Sequence, residues 1–569
     1  MPPRKGVVLA LVALTLVTLV VRLMGYDFGV PLMKEADTFI VEHVRMLNEG
    51  EVKIDRAQSA LQYPSLLAEF VALFSDRTLT PTGAEHSLQE HLNSAASLWL
   101  QVRLAVALAS VLIVPGTFFL ARRFVTDPWA LFAAALMSFS LLHVFFAQQA
   151  RCHALVASLA VWAVVASLWM RRSPSWRAYI AVALLVALAA GSFHSGLAVL
   201  APLVVAQLLR KDGRWFDARI LIAFALTAAS VRVFYWYYFD DDAKAAKGEN
   251  DGTLEAFSQG MFDGSGFARL ARTAWYYEPA LTVLVVVALA ALAFTRGRRA
   301  LGEKPVDGRD ALVVASYVTP YLLLAGSFSA TYERFLLPLL PHFAVFAAWG
   351  LSTLVARLET QSARRALVAF GIALLALPAA ASTKLSWLRS RPTTIDDATA
   401  WIRINLNDPA TEPIHALPPL DFALFRTLES LRYPAGRAAF FTPWTIYQNR
   451  LADEARVEPL YRIYWLSAKE GHRQLETHEQ VEAYLRSHGA GVFIVERIHA
   501  NQSLGRSRIA DTLAERGRRL ARFSPDGDPD FTNHKLWDQD VEAPGWPHVT
   551  LRVLRARAVG PILEVYDLP

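Results

Sequence analysis

One cysteine, Cys152, stands among 569 residues, so no disulfide can form within the chain and any exported portion must be stable without one. The loops hold no His-x-x-x-His pair and no Cys cluster, which leaves little sequence case for a metal. A Walker loop and a dinucleotide fingerprint are both missing, so neither ATP nor NAD is implied and no cofactor is expected. Nor is there a repeat period that would signal an array, or a low-complexity tract. The arginines are dispersed rather than gathered in one patch, which argues against a nucleic-acid partner despite the net charge of +6.

What the chain has in excess is apolar sequence: 54% of its residues are hydrophobic and its mean hydropathy is +0.28. The excess is gathered into runs that reach the roughly 17–25 residues a helix needs to cross a bilayer. Eleven such runs fall near 7–24, 98–120, 128–146, 153–170, 178–192, 195–209, 220–238, 274–295, 310–328, 335–356 and 366–384. The first follows a basic start like a signal peptide, but Arg22-Leu23-Met24 makes a poor cleavage site, so it reads as a retained span.

Alternate connections carry nineteen Lys and Arg residues, among them Arg122/Arg123, Arg171/Arg172, Arg210/Lys211 and Arg296/Arg298/Arg299. The opposite short connections carry few. The asymmetry predicts a cytoplasmic N-terminus, and an odd number of spans then puts the C-terminus outside.

The first outer loop, 25–97, is too long for a mere connector. Phe39, Val41, Val44, Met46 and Leu47 fit a helix on the membrane surface, with Glu42 and Arg45 turned to water. Residues 64–74 are apolar but too short to span, and are expected in the interface. After Lys384 the composition becomes that of a soluble α/β domain. A capping box is expected at Thr394-Ile395-Asp396-Asp397 and a helix from Thr477, closed by Gly489. Gly491–Val495, Val549–Leu554 and Ile562–Tyr566 read as strands. The expected division is thus 1–384, a transmembrane part with the loop 25–97, and 385–569, an outer α/β domain.

With this topology the polar residues that need a reason converge on the outer face. Glu35 and Asp37 follow span one, Arg103 lies in span two, and Gln148, Gln149, Arg151 and His153 sit between spans three and four. His194 lies between spans five and six, and Tyr332, Glu333 and Arg334 between nine and ten. Ionisable residues at membrane depth usually face a cavity or pathway. Arginine holds phosphate bidentately, and a carboxylate can take the proton of an attacking hydroxyl. A phosphate on a membrane lipid lies at this height, which suggests displacement of a lipid phosphate from a sugar by an acceptor hydroxyl. Asp240-Asp241-Asp242 reads as a solvated loop.

Several stretches resemble one family. Arg103 with its span, Leu120-Ala121-Arg122-Arg123-Phe124, and Phe146-Ala147-Gln148-Gln149-Ala150-Arg151-Cys152-His153-Ala154-Leu155 are similar to bacterial polyprenyl-phosphate-sugar glycosyltransferases of the GT-C superfamily. These are relatives of protein O-mannosyltransferases and of the lipid A aminoarabinose transferase. Tyr332-Glu333-Arg334-Phe335-Leu336-Leu337-Pro338-Leu339-Leu340-Pro341 resembles their late-span signature, and Gly29-Val30-Pro31, the acidic pair and Tyr63-Pro64-Ser65 their first outer loop. The ending Gly560-Pro561-Ile562-Leu563-Glu564-Val565-Tyr566 is similar to the C-terminal domains of some members.

The resemblance implies a polytopic α-helical membrane protein of the bacterial inner membrane and inverting transfer from a polyprenyl-phosphate-linked sugar. The acceptor is a protein, lipid or glycan, and membrane lipids are further partners. It also implies an acid of the first outer loop as base or acceptor-positioning group. Many relatives carry adjacent Asp-Glu there, whereas Ala36 separates the two acids of this chain. Asp37 is the expected base and Glu35 its helper. Arg151 and Arg334, then Arg103 and His153, are expected at the donor phosphate, and His194, Tyr63 and Glu333 at the acceptor or pocket. A transporter or flippase of lipid-linked glycans would favour repeat-related spans with charges at the midplane, which this chain lacks. A non-catalytic scaffold whose exported domain binds a partner is a further alternative, and a ligase acting on such glycans is the nearest one within the enzymes.

Overall fold

The structure, a computed structural model, describes residues 4–33, 39–49, 64–75, 86–235, 261–295, 306–329, 331–406, 412–417, 421–432, 442–451, 456, 459–466, 477–489, 491–497, 504–525 and 549–568. Among them six helices are long and apolar enough to cross a bilayer: Lys5–Leu23, Leu88–Ala121, His153–Arg172, Gly308–Ser327, Glu333–Arg357 and Gln361–Asn405. Two bent pairs pass the same test, Asp127–Ser138 with Leu141–Ala147 at 52° and Ser265–Tyr277 with Pro279–Ala293 at 117°. Three shorter apolar helices, Trp176–Ser192, His194–Leu208 and Ile220–Phe234, complete the bundle. Each of the eleven expected segments overlaps one of these, but by length and composition only six to eight qualify as crossings.

His153–Arg172 lies at the centre. Ala154, Ala157, Ser158, Ala160, Ala163, Ala166 and Ser167 are all buried along it. Small side chains let neighbouring helices approach closely where lipid supplies no hydrophobic drive. The same device recurs at Gly350, where a Cβ would lie 2.2 Å from that of Ala288. At the end of the bundle that carries the basic connections, Arg171 is fully buried and donates from Nε to Asp310 Oδ1 at 2.8 Å, and Arg210 donates to Asp217 at 2.7 Å.

Several expectations need correction. The run 274–295 is not one straight span, because the chain turns through 117° at Glu278-Pro279. Proline lacks the amide a continuing helix needs and disfavours helical backbone before it. Residues 274–277 therefore end the separate helix Ser265–Tyr277, with Leu270 and Tyr277 buried and Phe267 and Trp275 exposed. In the helix Phe39–Glu49, Arg45 does not turn to water: it is buried and donates from Nε to Glu42 at 2.8 Å, while Leu47 is exposed. Residues 66–72 form a short helix, as the length limit requires.

Beyond residue 392 the chain forms a mixed sheet. Its strands are β1 (Ile414–Leu417), β4 (Ile463–Trp465), β5 (Val492–Glu496), β6 (Arg518–Phe523) and β7 (Leu563–Asp567), in the order β4-β1-β5-β7-β6. β1 pairs parallel with β4 and β5, and β7 pairs antiparallel with β5 and β6. A separate parallel pair joins β2 (Phe425–Arg426) to β3 (Leu460–Tyr461). Val481, Leu485, Ile509 and Leu513 of the helices His478–Ser487 and Leu504–Arg516 pack on Phe493, Val495 and Tyr566 of the sheet.

The capping box at Thr477 with Gln480 forms, and Gly489 follows with φ +91°. The other box sits one residue earlier than expected, on Thr393 with Asp396, because the Thr394 hydroxyl donates to the Pro561 carbonyl at 2.6 Å. Val549–Arg555 is a helix rather than a strand: Val549, Thr550, Arg552 and Val553 are buried at helical spacing while Leu551 is exposed. Its Thr550 hydroxyl donates to the carbonyl of Tyr276 at 3.1 Å, docking this helix on the bent pair.

Candidate active site

The helix Lys5–Leu23 runs into a tight turn. Gly25 adopts φ +77°, and a Cβ there would lie 2.6 Å from the Ser386 carbonyl oxygen, so a side chain is excluded by both strain and space. The Met24 carbonyl accepts from Gln148 Nε2 at 2.7 Å. Arg103 NH1 donates to the carbonyls of Tyr26 at 2.9 Å and Phe28 at 2.8 Å, and its guanidinium lies 4.5 Å from the Phe28 ring centre. Arg389, which the sequence reading missed, lies 4.0 Å from the same ring and donates to Phe145 O at 3.1 Å and Gln148 Oε1 at 2.9 Å. Arg389 is buried in the last turn of Gln361–Arg389, beyond the expected span 366–384, so the rule that singled out Arg103 within a span did not reach it. Glu35 and Asp37 follow in 34–38, and Tyr63 closes 51–63; all three lie outside the described residues.

A basic wall is described nearby. The helix Leu141–Ala147 ends at Gln148, and the next begins at His153 with Cys152 as its N-cap, so Arg151 occupies the short break between them. Arg151 is buried, with its guanidinium 5.7 Å from the Phe146 ring centre. Arg334 stands at the start of the 3-10 helix Glu333–Leu339, over Tyr332 at 4.4 Å and Phe335 at 5.9 Å. The 3-10 helix of Arg334 packs against both Leu141–Ala147 and His153–Arg172, and the Phe146 ring lies 5.7 Å from the Arg151 guanidinium and 6.2 Å from the His153 ring, so the chain brings these three expected residues to one region from positions far apart in sequence. An N-terminal helix turn beside two guanidinium groups is an environment for an anion. Glu333 is buried at the head of the same 3-10 helix.

Aromatic rings connect this wall to the next expected residue. Phe193 lies 4.6 Å from His153 and 5.4 Å from His194, ring centre to ring centre, and His194 lies 5.0 Å from Tyr235. The Ser65 amide donates to the Phe234 carbonyl at 2.9 Å, which ties the end of the Tyr63-Pro64-Ser65 stretch beside Tyr235 and so to the His194 side. Arg103 reaches the turn at 24–33 through its bonds to Tyr26 and Phe28.

Other buried polar groups had no clear sequence signal. Glu278, at the 117° bend, accepts from Ser140 Oγ at 2.6 Å and from the Leu142 amide at 2.9 Å, capping the second half of the other broken helix. Arg22 donates to His143 Nδ1 at 2.9 Å. In the helix Phe39–Glu49, burial pushes the pKa of His43 down to about 4, so this ring is neutral near pH 7.

No family model and no curated protein matches the chain. Among solved structures, it is similar to ArnT from Cupriavidus metallidurans bound to undecaprenyl phosphate, at 14% identity and a TM-score of 0.46, covering 92% of this chain and 97% of that one. It is also similar to the archaeal oligosaccharyltransferase AglB from Archaeoglobus fulgidus in complex with an inhibitory peptide and a dolichol-phosphate. There the identity is 13% and the TM-score 0.44, covering 92% of this chain and 74% of that one. Values this low assign the chain to no family, and the functional reading rests on the residues themselves.

Proposed function

We propose that the chain is an integral membrane glycosyltransferase that moves a sugar from a polyprenyl-phosphate donor to an acceptor hydroxyl on the outer face of the membrane. The observation that carries this reading is the gathering of Arg151, Arg334 and His153 on one aromatic-lined wall. Forked guanidinium donors suit a lipid-borne phosphate, and the aromatic faces hold the two arginines in place. The likeness to structures that hold undecaprenyl phosphate or dolichol-phosphate agrees with this reading without adding weight to it.

In the reaction the acceptor oxygen attacks the anomeric carbon as the carbon–oxygen bond to phosphate breaks. The bonding pair leaves with the phosphate, whose charge Arg151 and Arg334 stabilise, and the hydroxyl proton passes to Asp37, with Glu35 beside it. A single displacement inverts the anomeric centre. His153 lines the donor side, and His194, Glu333 and Tyr63 the acceptor side. The basic residues of alternate connections put the N-terminus in the cytoplasm, and the α/β domain outside a bacterial inner membrane.

The test is single-turnover transfer from a labelled polyprenyl-phosphate hexose or pentose by the purified chain. Asp37→Asn abolishes transfer while donor binding persists, and Glu35→Gln has a milder effect; a positioned base contributes about 10²–10⁴-fold to such a step. Near-normal turnover in Asp37→Asn with a dead Glu35→Gln transfers the role to Glu35. Activity in both variants defeats the acid–base assignment.

A further inference from the structure

Two guanidinium groups pack on the single ring of Phe28, Arg389 at 4.0 Å and Arg103 at 4.5 Å. All three side chains are buried. The arginines come from different helices, Arg103 from Leu88–Ser110 and Arg389 from the last turn of Gln361–Arg389. Each is fixed at its far end by carbonyl or amide oxygens: Tyr26 and Phe28 for Arg103, Phe145 and Gln148 for Arg389. Arg389 also lies over Phe145 at 4.5 Å. A third tie comes from the outer domain, where the Trp444 amide donates to the Pro31 carbonyl at 3.1 Å.

We propose that Phe28 is the anchor of the turn 24–33, and that Arg103 and Arg389 are positioning residues for transfer rather than ligands of the donor phosphate. The acidic segment begins directly after Met33, so whatever fixes this turn sets where that segment starts. An ordinary core phenylalanine is held by apolar neighbours, and leucine replaces it at modest cost. A ring clasped by two cations is held through its negative π face, which leucine lacks. Transfer needs this precision: a displacement of about 1 Å at the reacting groups costs on the order of 10²-fold in rate. The proposal rests on the glycosyl-transfer reading for its catalytic consequence but not for the anchoring itself.

The experiment places pentafluorophenylalanine at position 28 of the full chain in lipid nanodiscs, with Phe28→Leu and Arg389→Lys beside it. The fluorinated ring keeps the shape of phenylalanine while reversing the charge of its face, so folding and anchoring are separated. Amide hydrogen exchange across residues 24–33 and the turnover number are read together with affinity for polyprenyl phosphate. The expected result is exchange faster by about tenfold in that turn alone, turnover lower by about 10–100-fold, and phosphate affinity within about twofold of the unmodified chain. Unchanged exchange with the fluorinated ring overturns the anchor. Faster exchange with normal turnover, or a loss of phosphate affinity that matches the loss of turnover, overturns the positioning role. If no polyprenyl-phosphate sugar supports transfer by the unmodified chain, the glycosyl-transfer reading fails and the exchange result alone decides the anchor.

Discussion

Replacing Arg151 by alanine removes one of the two guanidinium groups that flank His153, and the structure sets the size of the effect. Arg151 is 1% exposed, so solvent screens its charge only weakly. A hydrogen bond to a charged group in such a place contributes about 1.5–3 kcal/mol net. A forked contact with one phosphate therefore amounts to roughly 3–6 kcal/mol, or about 10²–10⁴-fold in dissociation constant at about 1.4 kcal/mol per factor of ten. Arg334 is only half-buried and shares its contact with solvent, so its alanine variant is expected to lose about five- to tenfold. Lysine at 151 keeps the charge without the fork and recovers only part of the loss. Titration of the nanodisc-embedded protein with polyprenyl phosphate at fixed ionic strength measures all three variants. Affinities within threefold of the parent for both alanine variants refute the phosphate assignment. A larger loss at Arg334 than at Arg151 refutes the ranking by burial.

Two further outcomes are expected. His415 on β1 is buried, stacks on Phe493 at 5.0 Å, and has no hydrogen-bond partner for either ring nitrogen among the described residues. Burial, with the charge of His488 adding to it, pushes its pKa down to about 4 from an ordinary value of 6.5. The folded domain is thus fully stabilised above about pH 6.5 and loses up to roughly 3 kcal/mol as the pH falls toward 4. His415→Phe should flatten the fall in thermal stability between pH 7 and 5, and an unchanged slope removes His415 as its source. Reporter fusions test the orientation: one at Trp215 should report cytoplasmic and one at Pro569 exported, and agreement between the two defeats the assigned topology.

Much of the bundle was legible because apolar runs long enough to span carry their own signal, independent of their neighbours. The bend at Glu278-Pro279 was harder to see because the apolar composition runs on through it; proline was the visible mark, and the carboxylate that caps Leu141–Ala147 was not. Val549–Leu554 misled because its β-branched residues favour a strand, while docking of Thr550 on the Tyr276 carbonyl selects a helix. In the site, Arg151, His153 and Arg334 were identifiable as polar residues on one face, but their convergence depended on how the helices pack. Arg103 shows the limit of that reasoning: depth and charge marked it, yet its contacts with the Phe28 ring and with the Tyr26 and Phe28 carbonyls leave no pattern in sequence.

The hydrogen bond from the Trp444 amide to the Pro31 carbonyl has a consequence for how the protein is made. The ribosome places ~400 residues between these partners, which at about 5–20 residues per second is a delay of roughly 20–80 s. For most of that interval the turn at 24–33 lacks both the Arg389 guanidinium, which is also made late, and the Trp444 amide. A nascent chain stalled before the outer domain, or one cut from it by a protease, thus carries every acid and arginine of the candidate site but an incompletely held turn. Docking of the C-terminal domain completes that turn, so under the proposed function catalytic competence arrives late in synthesis and depends on an intact chain.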